Sequence, residues 1–386
     1  MSDGPERPLR IGLNLVFLVE QSAGAGRYAV ELLPSLLAVE PDSRITAFLN
    51  KEAPAELFDQ QWSQEVDWVR LPVRIANKAH LVAQMTALPA IAALRRLDVL
   101  HSPANGGPLF TPGVARVVTL LDLIWLHQRE AWDSARAVRS MAIFVRASAS
   151  TAHRLLTISE SARDDLVSHG YEADAIEVTP LGVRPPSLGP TKTPTEVRRQ
   201  LGLGEGPVIL CVAQKRPYKN LSALVRALPD LPGAALVLPG SPTAHEAELR
   251  ALATERGVGD RVRFPGWVDE QELENLYRAA TCFVLPSLVE GFGLPVLEAM
   301  ARDVPVACSN RPALPEVAGD AALLFDPEDQ PAITNAIRRL LDDRELVSRL
   351  VERGRERVKL FTWERTAEAT LAGYRQAVGE QRGRRI

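Results

Sequence analysis

The chain of 386 residues is poor in cysteine, in lysine and in long apolar runs, and each shortage excludes something. The three cysteines, Cys211, Cys282 and Cys308, sit inside apolar strand-like runs (VILCVA, TCFVLP, VACSN), without CxxC spacing or a neighbouring histidine cluster. This excludes a disulfide scaffold and a thiolate metal site, and predicts buried, reduced thiols. No apolar run approaches the ~20 residues that span a bilayer. The opening MSDGPERPLRIGLNLVFL carries acids ahead of a strand-like run, whereas a signal peptide needs a basic start and a longer apolar stretch. The expectation is a cytoplasmic chain.

A formal net charge of −3 leaves no electrostatic footprint for nucleic acid. Only six lysines stand against thirty-nine arginines, so two lysines within five residues, Lys215 and Lys219, stand out. No two aspartates are two positions apart, which removes the Asp-x-Asp metal clamp. Neither GxxxxGK[ST] nor GxGxxG occurs, so a Walker loop and a dinucleotide fingerprint are both unsupported.

What is present is alternation. Short β-branched or apolar runs are separated by amphipathic stretches, the pattern of β-α units on a mostly parallel sheet. IGLNLVF, ITAFL, VLHSP, VVTLL, LLTIS and IEVTPLGV read as strands of a first half. A proline-rich stretch, Arg184 to Val197, reads as a linker. VILCVAQ, AALVLPG, VRFPGWV, CFVLPS, PVACSN and AALLF read as six strands of a second half. The predicted fold class is α/β with two Rossmann-like doubly wound domains, residues 1–184 and 197–360, and ligands in a cleft beyond the strands' carboxyl ends.

The motifs follow strands. CFVLPS runs into LVEGFG and LPVLEAMA, which puts Gly291 and Gly293 in a strand-to-helix turn and Glu290 and Glu298 on either side of it. A helix start attracts an anion, and glycines let a phosphate approach the backbone. Carboxylates only accept hydrogen bonds, so they suit vicinal hydroxyls rather than phosphate. A nucleotide sugar carries both kinds of group. In VILCVAQKRPYKNL, Lys215, Arg216 and Lys219 crowd the loop after a strand, placed to neutralise a diphosphate without a metal. The first strand leads to QSAGAGRYAVELL, where Gly24 and Gly26 permit close approach of a ligand. Arg136, Arg139, Arg146 and His153 fall on one side of a helical wheel, a stripe suited to peripheral membrane contact or to solvent.

These residues resemble glycosyltransferase family 4, the retaining nucleotide-sugar transferases of GT-B fold. EGFGLPVLEAMA matches that family's Glu-x7-Glu signature, and AGRYAVELL, VVTLLDL, LTISESARDDL, VTPLGV, KRPYKN, RFPGWV and FTWERTAEATLAGYRQAV extend the likeness over nearly the whole chain. The resemblance implies a nucleoside diphosphate sugar donor held by the second domain and an acceptor held by the first. It also implies a last helix, about 361–380, that packs back on the first domain with Trp363 as an anchor. Carried over, Glu290, Lys219, Lys215 and Asp122 are the catalytic candidates. Gly24, Gly26, Gln214, Arg216, Trp267, Val268, Gly291, Phe292, Gly293, Leu294 and Glu298 are the donor-binding candidates. His101, Asn105 and His127 are candidates for the acceptor side. The chain departs from the family pattern where Leu121-Asp122-Leu123 replaces the usual His-Asp-Leu, and where Gln214 stands near a customary arginine. The implied reaction moves a hexose-type sugar to a hydroxyl of a small-molecule, lipid-linked or glycan acceptor, with no metal and no other cofactor. The rival readings are a nucleotide-sugar epimerase or phosphorylase on the same plan, and a non-catalytic partner subunit. The expected place of action is the cytoplasm, either free or peripheral at the inner membrane face.

Overall fold

The computed structural model describes residues 7–19, 24–75, 79–128, 135–186 and 189–383. Its contacts divide the chain into two compact units, one running to Gly182 and resuming at Trp363, the other Val183–Thr362.

The first unit holds a seven-stranded, wholly parallel sheet. Its strands are β1 (Arg10–Leu15), β2 (Arg44–Leu49), β3 (Val66–Arg70), β4 (Val99–Ser102), β5 (Ala115–Thr119), β6 (Arg154–Thr157) and β7 (Ile176–Val178), in the order β3-β2-β1-β4-β5-β6-β7. Strands β4 and β5 are buried along their whole length. Continuous apolar runs are what a parallel sheet covered on both faces requires. The one strand missed by sequence is β3, VDWVR, whose burial is partial and whose polar alternation hides it.

The second unit holds β8 (Val208–Leu210), β9 (Ala235–Pro239), β10 (Val262–Gly266), β11 (Cys282–Leu285), β12 (Val306–Ser309) and β13 (Ala322–Phe325). All pairs are parallel, in the order β10-β9-β8-β11-β12-β13. The order reverses between β1 and β4 in one sheet and between β8 and β11 in the other. Such a reversal opens a crevice at the carboxyl ends of the two strands.

Helix starts are set by local chemistry. Ser159, Asp269, Asp329 and Asp343 accept hydrogen bonds from the amides of Ala162, Glu272, Ala332 and Leu346 at 2.7–3.0 Å. Each cap satisfies an amide that the helix itself leaves unpaired. Within the proline-rich stretch, the segment from Thr191 onward is anchored rather than free. Thr193 and Glu196 form a capping box for the helix Pro194–Gln200, and Asn275 Oδ1 accepts from the amides of Thr191 and Lys192.

The last helix, Trp363–Gly383, belongs to the first unit, where it packs on the helix Ala25–Val39 and on β5. Trp363 is buried and stacks on Tyr28 with ring centroids 6.4 Å apart. Gly373 lets the helix approach the sheet closely, since a Cβ there would lie 2.9 Å from a terminal methyl of Leu156 in β6. Cys211, Cys282 and Cys308 are free and buried, and burial pushes each thiol up to about 12. Among the described residues no helix is long and apolar enough to cross a membrane.

Candidate active site

The reversal point of the second sheet gathers the charged residues. After β8 the chain runs through Lys215 and Arg216 into a single 3-10 turn, Pro217–Lys219, and Asn220 turns it with φ 53° into the helix Leu221–Ala227. Asparagine tolerates that left-handed conformation better than most residues. Its amide nitrogen donates to the Pro327 carbonyl at 2.8 Å, which fixes the turn. After β11 the chain passes Ser287 and Glu290 and enters the helix Leu294–Met300.

These two loops meet. Lys219 Nζ lies 2.7 Å from Glu290 Oε1, and Ser287 Oγ donates to the same oxygen at 2.6 Å. The side chains are 16% and 9% exposed, so the pair is sheltered yet reachable. Burial pulls the Lys219 ammonium down, but Glu290 and Tyr218 outweigh it, and the net pKa is raised. The lysine therefore remains cationic throughout the neutral range. Its ammonium also lies 5.3 Å from the Tyr218 ring centroid.

Gly293 precedes the helix with φ 101°, a conformation that favours glycine, and a Cβ there would meet Leu314 at 2.4 Å. Gly291, Phe292 and Gly293 are buried and Leu294 half-buried, with the Phe292 ring packed on Phe361 at 5.8 Å. Glu298, in the same helix, is buried and accepts from Tyr277 OH at 3.0 Å. Arg302 lies 4.9 Å from the Tyr277 ring, pairs with Glu274 and donates to the Glu298 carbonyl at 2.9 Å. Trp267 follows β10 and is 52% exposed, and Val268 beside it is half-buried.

At the equivalent point of the first sheet the described residues include a neutral, buried cluster. His101 of β4 has no exposure, and its ring nitrogens lie 2.7 Å from Tyr374 OH and 2.7 Å from Thr119 Oγ1. Tyr28 OH reaches the same Thr119 hydroxyl at 3.2 Å. Burial lowers His101 to about 3, so the ring is neutral, and burial raises Tyr28 to about 12. Gly24 caps the helix Ala25–Val39 with φ 43°, exposed and with open space at its Cβ position, whereas Gly26 is buried in the first turn. Asn105, at φ 53°, accepts from the Leu121 amide at 2.9 Å. Asp122 accepts from the Ile124 amide at 3.1 Å, just ahead of the short helix Ile124–His127.

Residues 194–357 match the family model described as glycosyl transferases group 1. Over 376 residues the chain is 30% identical to the O-antigen chain mannosyltransferase B of Escherichia coli, covering 91% of this chain and 96% of that one. The chain belongs to the group 1 glycosyl transferases. A D-inositol 3-phosphate glycosyltransferase of Acidothermus cellulolyticus is 35% identical over 247 residues, which span 60% of this chain and 55% of the relative. The sucrose-phosphate synthase of Thermosynechococcus elongatus has a TM-score of 0.77 at 26% identity, covering 95% of this chain and 98% of that one. The fold is GT-B, and the activity is glycosyl transfer from a nucleotide-sugar-type donor.

Within this group 1 transferase the structure brings together Lys219, Glu290 and the Gly291–Leu294 turn. Other expected site residues lie elsewhere. Lys215 is a correction: its side chain has no exposure, donates to the Gly240 carbonyl and lies 3.6 Å from Glu246. Burial lowers its pKa, only partly offset by Glu246. His101 is a second correction, because a fully buried ring bonded at both nitrogens offers nothing to an acceptor. His127 is exposed and turned to Asp165, at 2.9 Å. His153 is not on the basic helix face: the helix Ala135–Thr151 ends before it, and its Nδ1 accepts from the Arg116 amide at 3.0 Å. Gln214 is exposed and Arg216 half-buried. Trp267, for which a core position was the plain alternative, is exposed instead.

Two partners of the acids escaped the sequence reading. Ser287 lies three residues before Glu290, a local spacing that could have suggested the bond. Tyr277 reaches Glu298 from the helix Glu270–Ala279, and only the folded chain makes that contact.

Proposed function

We propose that the chain is a retaining hexosyltransferase of family 4 that moves a sugar from a nucleoside diphosphate to an acceptor hydroxyl without a metal. The observation that carries this reading is the sheltered Lys219–Glu290 pair at the reversal point of the second sheet, beside the Gly291–Leu294 turn. In this reading the Lys219 ammonium, Arg216 and the turn amides stabilise the departing diphosphate, Glu290 orients the sugar hydroxyls, and Glu298 takes the ribose hydroxyls. Trp267 and Val268 border the base.

Transfer follows front-face substitution. The bond from the sugar's anomeric carbon to the phosphate oxygen breaks, the bond to the acceptor oxygen forms on the same face, and the acceptor proton passes to the departing phosphate. The names of the relatives, an O-antigen mannosyltransferase and an inositol phosphate glycosyltransferase, support a mannosyl or related hexosyl donor and a glycan, lipid-linked or small polyol acceptor. Action at the cytoplasmic face of a membrane fits the helix Ala135–Thr151, which has three arginines and no acid.

The test is a thermal-shift screen of nucleoside diphosphates and their hexoses, followed by transfer assays with the stabilising donor. A donor at 100 times its Kd should stabilise by about 2.7 kcal/mol. The product should keep the donor's anomeric configuration by NMR, and added Mg2+ or Mn2+ should leave the rate unchanged. Inversion, or a rate that requires added metal, would overturn the mechanism. Leu121, in place of the family's usual histidine, favours a second reading in which the chain binds a donor without turnover. Calorimetric donor binding with no transfer across a broad acceptor panel would establish it.

A further inference from the structure

Outside the donor residues, one side-chain cluster in the first unit has the makings of a metal site. His127, Asp165 and His169 each present a ligand atom, all within 4.8 Å of one another. His127 ends the short helix that follows β5, and Asp165 and His169 stand four residues apart at the end of the helix Glu160–Ser168 that follows β6. Adjacent strands of one sheet thus deliver the three groups to the same place.

We propose that His127, Asp165 and His169 bind one borderline divalent transition ion, Zn2+ being the fitting case, and that the ion clamps these two helices together. The donor set of two imidazoles and a carboxylate suits such an ion far better than Mg2+ or Ca2+, which favour all-oxygen shells. A tetrahedral ion with bonds of ~2.0–2.1 Å needs ligand atoms ~3.3 Å apart. His127 Nε2 lies 2.9 and 3.0 Å from the Asp165 oxygens, and His169 Nδ1 lies 3.4 Å from Asp165 Oδ1. The rings already crowd one another, with centroids 5.2 Å apart. The side chains are 38%, 31% and 36% exposed, which leaves room for a water on the fourth position.

Two contacts oppose or orient the ion. His169 Nδ1 lies 2.8 Å from the Asp165 carbonyl and 3.1 Å from Ser168 Oγ, so the ring brings its lone pair with the other nitrogen or gives up those bonds. Arg146 donates to the His169 carbonyl at 3.0 Å and places a positive charge nearby. The consequence reaches the segment that carries the departure from the family pattern. Leu121 is tied at its amide to Asn105, Asp122 accepts from the Ile124 amide, and an ion on His127 would fix the far end. The site's role is therefore positional, and it stands whether or not the donor reading is correct.

The experiment uses the tag-free full chain stripped of metal and titrated by calorimetry with Zn2+ and, separately, Mg2+. One Zn2+ per chain, a raised Tm and no response to Mg2+ are expected. His127→Ala and Asp165→Asn, each first shown to match the wild-type Tm without metal, should weaken Zn2+ binding by ~100-fold or more, beyond the ~10–100-fold that outer-shell partners command. His127→Gln replaces the alanine variant should that one not fold. No stoichiometric Zn2+ binding by the wild type, or unchanged affinity in the variants, would overturn the proposal.

Discussion

The two units share a strand order and use its reversal point in opposite ways. In the second unit that point holds a partly sheltered ion pair, Lys219 with Glu290, beside a glycine turn. In the first it holds a fully buried, neutral network of His101, Thr119, Tyr28 and Tyr374, which ties β4 and β5 to the last helix. A crevice position offered by topology is therefore no guarantee of chemistry. What separates the two is a charged partner, since burial acts on both. Burial drives His101 to its neutral form, whereas Lys219 stays charged because a carboxylate lies within hydrogen-bond reach.

The contrast can be broken at either end. The largest effect should come from Glu290→Gln, which keeps the side chain's size and removes its charge. A fall of ~10²–10³ in kcat with the fold intact by circular dichroism is expected, the scale on which preorganised polar groups act. Unchanged turnover would remove Glu290 from the chemistry.

His101→Ala should act on stability instead. It leaves Tyr374 OH and Thr119 Oγ1 facing a void, at a cost of roughly 2–4 kcal/mol by combined cavity and hydrogen-bond loss. Urea unfolding would show it as a lowered midpoint. A stable variant with lost activity would place His101 back in the site.

Tyr277→Phe sharpens the comparison more gently. Removing one hydroxyl from a buried carboxylate should cost about 1–3 kcal/mol of stability and weaken donor affinity, read by calorimetry. Near neutral pH the pH dependence is the smallest effect, and it grows as the solution is made more acidic. The folded His101 binds a proton only near pH 3, while the unfolded ring binds it near 6.5, so between those values the unfolded state holds more protons. The stability tied to this residue is complete above pH 6.5 and falls as the pH drops, with a slope approaching about 1.4 kcal/mol per pH unit. His101→Asn should flatten that part of a Tm-against-pH curve.

Much of this organisation is legible in the sequence. Twelve of the strands announced themselves as apolar runs between glycine and proline punctuation, and all six of the second sheet lie where the runs placed them. The turn with Gly291 and Gly293 and its flanking acids could be read because spacing along the chain is also spacing in the loop. What could not be read was direction. Lys215 and Lys219 sit four residues apart on one loop, yet one turns inward to Glu246 and the other to Glu290. Tyr277 and Tyr374 reach Glu298 and His101 across long stretches of chain, and no local pattern encodes such meetings. The strand β3 escaped because its alternation is that of a half-exposed edge.

The central claim is that Lys219 and Glu290 act as one unit in transfer. Measuring kcat/KM for Lys219→Met, Glu290→Gln and the double variant tests it directly. The account predicts strong non-additivity, with the double variant within roughly threefold of the worse single one, as for groups that work together. Losses that simply multiply, or single variants as active as wild type, would contradict it.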